Sequence, residues 1–146
     1  MRPIGRGRPG ETRRASVDVI EGRVLVGGSA TARALVLDEP LSLWGGLDPT
    51  TGEILEAGHP QRGEVLTERI LVMPSGRGSS SSATVLAEAI RLGTAPAGIV
   101  LAEPDDIIVI GVLVAAELYG TSIPVLIATT ESYGAIVDGD VVVLGD

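Results

Sequence analysis

The chain predicts an α/β domain, β-rich, with helices packed on the sheet, and three observations carry that prediction. Its 146 residues suit one compact domain with a single core. Apolar runs alternate with Gly and Pro punctuation along the chain after the first fifteen residues, without an internal repeat. Between residues 69 and 128, strand-like and helix-like runs alternate, as in units whose helices cross between parallel strands in the right-handed sense.

Taken in order, Met1 to Ala15 is rich in Gly, Pro and Arg and reads as a disordered extension, leaving 16–146 as the domain. Arg23 to Val26 and Thr31 to Leu37 read as strands joined through Gly27-Gly28-Ser29 into a hairpin. Asp38 to Gly63 carries Pro40, Gly45, Gly46, Pro49, Gly52, Gly58, Pro60 and Gly63 and no sustained periodicity, so it reads as a long ordered loop. Arg69 to Met73 is a strand stopped by Pro74. Ser82 to Leu92 follows as a helix whose Val85, Leu86, Ala89 and Ile90 share a face, and Gly93 ends it. Ala97 to Leu101 is the next strand. Asp105 or Asp106 caps a helix reaching Tyr119, Gly120 stops it, and Ile123 to Ala128 returns as a strand. The run Ile107 to Ile110 is β-branched and suits a buried strand equally well, but the length of the segment favours a helix. So apolar a helix requires cover on more than one side. Val141 to Leu144, after Asp138-Gly139-Asp140, is the last strand.

Composition excludes several kinds of chemistry. There is no cysteine, hence no disulfide, thiol nucleophile or thiolate-held cluster within this chain. Aromatic residues are limited to Trp44, Tyr119 and Tyr133. Five of the eleven basic residues, all Arg, fall in the first fourteen positions, so the remaining body carries six Arg against eighteen acids, a net charge of −12. Such a body repels a phosphate backbone, and no aromatic residues are interleaved with cations to stack bases; nucleic acid is not expected as a partner. The apolar stretch Ile107 to Ala116 is too short to span a bilayer, and the Arg-rich start lacks the apolar stretch of a secretory signal. The expectation is a cytoplasmic protein with no membrane partner.

The chemistry concentrates in Pro74-Ser75-Gly76-Arg77-Gly78-Ser79-Ser80-Ser81-Ser82, a Gly-rich turn between a strand and the start of a helix. Backbone N–H groups at a helix start, glycines that permit close approach, hydroxyl donors and a guanidinium together suit a carboxylate or phosphate. A Ser-rich helix cap explains the same residues without any ligand. No Lys is present for a P-loop, and Gly76-x-Gly78-x-x-Ser81 lacks the last glycine of the dinucleotide fingerprint.

Together with Asp38-Glu39-Pro40-Leu41-Ser42-Leu43-Trp44-Gly45-Gly46-Leu47-Asp48-Pro49-Thr50-Thr51-Gly52-Glu53-Ile54, this turn closely resembles the swivelling-domain subunit of aconitase X. The resemblance extends through Ala95-Pro96-Ala97, Gly111 to Leu118 and Gly120-Thr121-Ser122-Ile123-Pro124-Val125, leaving only the Arg-rich start outside it. It implies a single swivelling β/β/α domain that docks on a large aconitase X subunit and is inactive alone. It also implies a hydro-lyase in which Ser79 removes the substrate's α-proton and an iron–sulfur cluster in the large subunit activates the leaving hydroxyl. No cofactor is expected in this chain. Family members dehydrate cis-3-hydroxy-L-proline in bacteria and a phosphorylated mevalonate in archaea; a single loop Arg suits a carboxylate at least as well as a phosphate, so a small hydroxy acid of the first kind is expected.

Arg77, Gly78 and Ser80 are the expected substrate contacts in the serine loop, and Ser42, Gly45, Gly46 and Asp48 those in the preceding long loop. The helix dipole and Arg77 would stabilise a Ser79 alkoxide. Trp44 reads as a core anchor rather than a ligand. His59, between Gly58 and Pro60, reads as part of a surface turn more than as an acid or base. Glu103, Asp105 and Asp106 read as a cap and dipole complement, and no metal is assigned. Outside the enzyme reading stand a phosphohistidine-type mobile domain, disfavoured because no His lies between Gly76 and Leu92, and a homo-oligomeric binding module.

Overall fold

The computed structural model describes residues 17–145; the Arg-rich extension lies outside them. In chain order the strands are β1 (Val17–Val19), β2 (Gly22–Val26), β3 (Ala30–Val36), β4 (Leu41–Ser42), β5 (Ile70–Met73), β6 (Gly76–Arg77), β7 (Gly98–Leu101), β8 (Val125–Ala128) and β9 (Val141–Leu144). The helices are a single turn α1 (Leu43–Gly46), α2 (Ser81–Leu92), α3 (Asp106–Tyr119) and α4 (Thr130–Ala135). Seven strands form one sheet in the order β1-β9-β3-β5-β7-β8-β2, and β4 pairs with β6 separately. β3, β5, β7 and β8 run parallel, with α2 and α3 crossing between successive neighbours, so the architecture is the expected α/β one.

Every residue of β5 and β7 is buried, as central parallel strands covered on both faces must be. Alternation sorts them: Leu71, Met73, Ile99 and Leu101 face α2 and α3, while Ile70, Val72 and Val100 face a second apolar cluster with Ile136, Val142 and Leu144. The sheet curls over this second cluster. Leu144 on β9 comes so close to β7 that a Cβ on Gly98 would lie 2.7 Å from its Cδ1.

The expected hairpin between Arg23–Val26 and Thr31–Leu37 does not form. β2 pairs antiparallel with β8 at one edge, whereas β3 sits between β5 and β9. Burial explains the separation: Ala34 and Leu35 are 0 % and 2 % exposed and need cover on both faces, while no residue of β2 is fully buried. β3 finds its antiparallel neighbour in β9, through Ala30↔Leu144 to Arg33↔Val141. Two elements were not expected at all, the edge strand β1 and the short helix α4, whose N-cap Thr129 accepts the Ser132 N–H at 3.1 Å. The segment expected as a long loop carries β4, α1 and the isolated bridges Leu47↔Ile54 and Glu53↔Val65.

The ambiguous run from Ile107 is helical. Asp105 supplies the cap its β-branched residues cannot: one carboxylate oxygen accepts the N–H groups of Ile107 (3.0 Å) and Ile108 (3.1 Å). Helix α3 packs on α2 through Ile108, Gly111, Val112 and Ala115, while Ile110, Leu113, Val114 and Leu118 remain exposed. None of the described helices is long and apolar enough to cross a membrane.

Gly111 is where the two helices touch: a Cβ there would lie 2.9 Å from the Ala83 carbonyl and 3.1 Å from the Leu86 Cβ. Because one obstacle is backbone, a branched side chain must push α3 away. Gly111→Val should therefore lower stability by about 1–3 kcal/mol, read as a drop in the urea midpoint with an unchanged denaturant slope.

Candidate active site

Strand β5 delivers the chain to Pro74, whose carbonyl accepts the N–H groups of Ala102 (3.0 Å) and Glu103 (3.2 Å). The chain then enters β6, which meets β4 in a parallel ladder of two pairs, Leu41↔Gly76 and Ser42↔Arg77. Asp105 ties this strand to α3: while one of its oxygens caps the helix, Oδ2 accepts the Gly76 N–H at 2.8 Å. Gly78 turns the chain with φ +103°, and a Cβ there would lie 2.8 Å from the Ser42 Oγ, so backbone sign and space both require glycine.

Ser79 and Ser80 follow on the surface, at the start of the 12-residue α2. Ser80 is the N-cap but makes no side-chain cap; instead the Ser79 Oγ accepts the Ser81 N–H at 3.3 Å. Among the described residues the N–H groups of Ser79 and Ser80 make no hydrogen bond. The result is an exposed hydroxyl and two unengaged amide donors at the positive end of a three-turn helix.

The opposite wall is built by β4 and α1. Ser42 donates its N–H to Glu56 Oε1 (2.8 Å) and its hydroxyl to the Trp44 carbonyl (3.1 Å), and the Trp44 N–H reaches the buried Ser82 Oγ at 3.2 Å. Trp44 (ψ 114°) and Gly45 (φ 76°) break the helical turn, and Gly46 fits against Glu56, whose Cβ would stand 3.1 Å from an added Cβ. The anchor reading of Trp44 is corrected by this geometry. Its backbone is held at both ends, yet its indole is 63 % exposed, because Leu41 and Leu43 already fill the core beneath.

Arg77 does not present a free charge to a ligand. Its guanidinium is hydrogen-bonded and ion-paired to Glu56 and lies 3.4 Å from Glu39. Burial pushes the Glu56 carboxyl up, but the Ser42 N–H and the Arg77 hydrogen bond and charge together outweigh it and leave it below the usual carboxylate range. The Glu56 hydrogen bond, followed by its charge and the contact with Glu39, outweighs desolvation and raises Arg77 further.

The expected contact Asp48 and the residue His59, expected in a surface turn, both serve local structure. The Asp48 carboxylate is occupied by the Thr50 hydroxyl (2.6 Å) and N–H (2.9 Å), and these bonds hold it below its ordinary value. The next carbonyl, Pro49, accepts the Thr94 hydroxyl beyond the C-terminal end of α2, about 18 Å from its start by the helical rise. His59 is corrected from surface turn to buried residue, 4 % exposed. Its Nδ1 accepts the Gln61 N–H (3.1 Å) and its Nε2 donates to the Glu39 carbonyl (3.2 Å), the pattern of a neutral imidazole used as a brace. Thus Ser42, Gly45, Gly46, Arg77, Gly78, Ser79 and Ser80 gather at one end of α2, and Asp48 and His59 do not join them. Three residues of this end were not singled out as its supports: Glu56, Ser82 and Asp105. Asp105 carried the signal of a helix cap and Ser82 closed the serine-rich stretch, whereas Glu56 carried no sequence signal.

The cavity beneath the loop, between Leu41, Gly76, Ser82 and Ile108, holds about 50 Å³. That is room for a water or two, so a metabolite-sized ligand must sit on the loop's outer surface.

A curled sheet with two helices on one face and a serine loop at its rim is the architecture of a swivelling domain. The family description "aconitase X swivel domain" matches residues 19–146, and the chain belongs to that family. It is 47 % identical over 103 residues to the cis-3-hydroxy-L-proline dehydratase of Pseudomonas aeruginosa, covering 70 % of this chain and 18 % of that protein. It is 50 % identical over 80 residues to the phosphomevalonate dehydratase small subunit of Methanopyrus kandleri, covering 55 % of this chain and 59 % of that subunit. The chain therefore spans about a fifth of the bacterial relative and under two thirds of the archaeal one. Among solved structures it superposes on holo-form aconitase X from Thermococcus kodakaraensis with TM-score 0.76 and 30 % identity, over 85 % of this chain and 88 % of that one.

The depressed Glu56 carboxyl fixes the pH range of the wall it supports. A group whose folded value is lowered contributes fully above its unfolded value and loses that contribution as pH falls through the folded value. The Ser42 amide proton, bonded to that carboxylate, should therefore titrate by NMR with a midpoint below the ordinary value of a glutamate carboxyl. A midpoint at or above that value would mean that Arg77 and Ser42 do not hold Glu56 in solution.

Proposed function

We propose that this chain is the small subunit of an aconitase X-type hydro-lyase and that Ser79 is the base that removes the substrate's α-proton. The observation that carries the reading is the exposed Ser79 hydroxyl beside the unengaged N–H groups of Ser79 and Ser80, at the start of α2. Those donors and the helix dipole stabilise negative charge where it develops: on a serine oxygen giving up its proton, and on a substrate carboxylate whose enolate-like charge grows as Cα loses hydrogen. Loss of the C2 proton and departure of the C3 hydroxyl together release water and leave a C2=C3 double bond.

The substrate best matched is cis-3-hydroxy-L-proline, the compound in the name of the bacterial relative. Arg77 is the only cation between Pro74 and Leu92 apart from Arg91 at the far end of α2, and Glu39 and Glu56 already compensate it. A zwitterionic hydroxy acid with one carboxylate suits such a loop better than a phosphomonoester carrying about two negative charges. Phosphomevalonate is the second candidate, on the strength of the archaeal small subunit.

This chain's residues do not fit an iron–sulfur cluster: it has no cysteine, and among the described residues no three His, Asp or Glu converge as metal ligands. In this reading the cluster and its ligands belong to the large aconitase X subunit. That subunit also supplies the rest of the substrate pocket, since the loop itself encloses only a water-sized space.

The test is dehydration of cis-3-hydroxy-L-proline and of phosphomevalonate by this chain with its large subunit. Turnover of the hydroxyproline by the pair, and none by this chain alone, is expected. Ser79→Ala should lower turnover at least about a hundredfold while leaving circular dichroism and subunit binding unchanged. Near wild-type turnover in that variant would return Ser79 to the role of a helix cap.

A further inference from the structure

We infer that Glu56 is a positioning residue for the serine loop, acting through a clasp on the registered pair Ser42↔Arg77. The ladder between β4 and β6 is only two pairs long, too short to fix the spacing of its strands unaided. One carboxylate spans the second pair. Its Oε1 accepts the Ser42 N–H at 2.8 Å on one strand, and its Oε2 binds the Arg77 guanidinium on the other. Gly46 leaves room for this approach, since an added Cβ would come within 3.2 Å of the same Oε1.

From that pair each strand runs on two residues, to Trp44 on one side and Ser79 on the other. The clasp therefore sets the separation between the exposed indole and the exposed hydroxyl. It also consumes the charge of Arg77, which leaves the amide donors at the start of α2 as the loop's anion-binding element. Glu39, 3.4 Å from Arg77 with both side chains 44 % exposed, adds only a solvent-screened contact. Glu56, at 20 % exposure and with both oxygens engaged, is the member that holds.

This inference rests on Ser79 being the base, and the experiment separates the two. In the reconstituted pair, Glu56→Gln keeps an acceptor for Ser42 but loses the ion pair. It should lower kcat at least about tenfold, the scale of a small misplacement of a reacting group, with a smaller change in KM. In a Ser79→Ala background the same substitution should change the residual turnover less than about twofold, because a residue that acts through Ser79 has nothing left to position. Equal losses in both backgrounds, or no loss in either, would overturn the inference. Independently of any turnover, Glu56→Ala should accelerate amide exchange at Ser42 about tenfold or more while β5 keeps its protection. Unchanged exchange at Ser42 would refute the clasp even if Ser79 proves to be the base. Faster exchange at Ser42 together with near wild-type turnover in Ser79→Ala would uphold the clasp and reject the catalytic reading of Ser79.

Discussion

A parallel ladder of two residue pairs, Leu41–Gly76 and Ser42–Arg77, is the joint on which the position of the serine loop depends. Backbone pairing of that length is marginal in water, so side chains from three different elements complete it. Asp105 at the start of α3 fixes Gly76, Glu56 from the preceding loop fixes Ser42 and Arg77, and buried Ser82 on α2 fixes Trp44. Each of these acceptors meets a backbone N–H that the short ladder leaves unpaired, which is why a polar network persists at the rim of an otherwise apolar core. Behind it, the close contact of α2 with α3 at Gly111 keeps the two helix starts at a constant distance.

The electrostatics of this rim follow from what is already neutralised. Arg77 is shared between two glutamates, and the Asp105 carboxylate receives three N–H groups. What remains unengaged among the described residues is the pair of amides at Ser79 and Ser80, beside a Ser79 hydroxyl that accepts only the Ser81 N–H. Backbone amides at a helix start bind a carboxylate without a mobile cation, and they are already oriented before the ligand arrives. The Trp44 indole, 63 % exposed, is open to what approaches this rim from outside.

Much of this was legible in the sequence because it rests on local signals. Pro74, the Gly76-x-Gly78 turn, the apolar face of α2 and the stops at Gly93 and Gly120 are written in contiguous residues, and the structure places them there. Most of the failures share a cause, which is distance along the chain. The turn Gly27-Gly28-Ser29 suggested a hairpin, but β3 pairs with β9 more than a hundred residues later. His59 looked exposed between Gly58 and Pro60 until Glu39, twenty residues earlier, folded over it. Trp44 looked like an anchor because composition does not reveal that Leu41 and Leu43 fill that part of the core. Glu56 belongs to no motif; only the fold brings it to Ser42, 14 residues away, and to Arg77, 21 residues away.

The most direct test of the central claim, that the Ser79 hydroxyl faces the reacting substrate, is alkylation of the Ser79→Cys variant in complex with the large subunit. This chain has no other cysteine, so mass spectrometry of the separated chain reports on that one position. If the hydroxyl faces the substrate, cis-3-hydroxy-L-proline at ten times its dissociation constant should slow alkylation about tenfold, since a thiol under bound ligand reacts only in the free fraction. Alkylation at the same rate with and without saturating substrate would place Ser79 outside the substrate site and contradict the account.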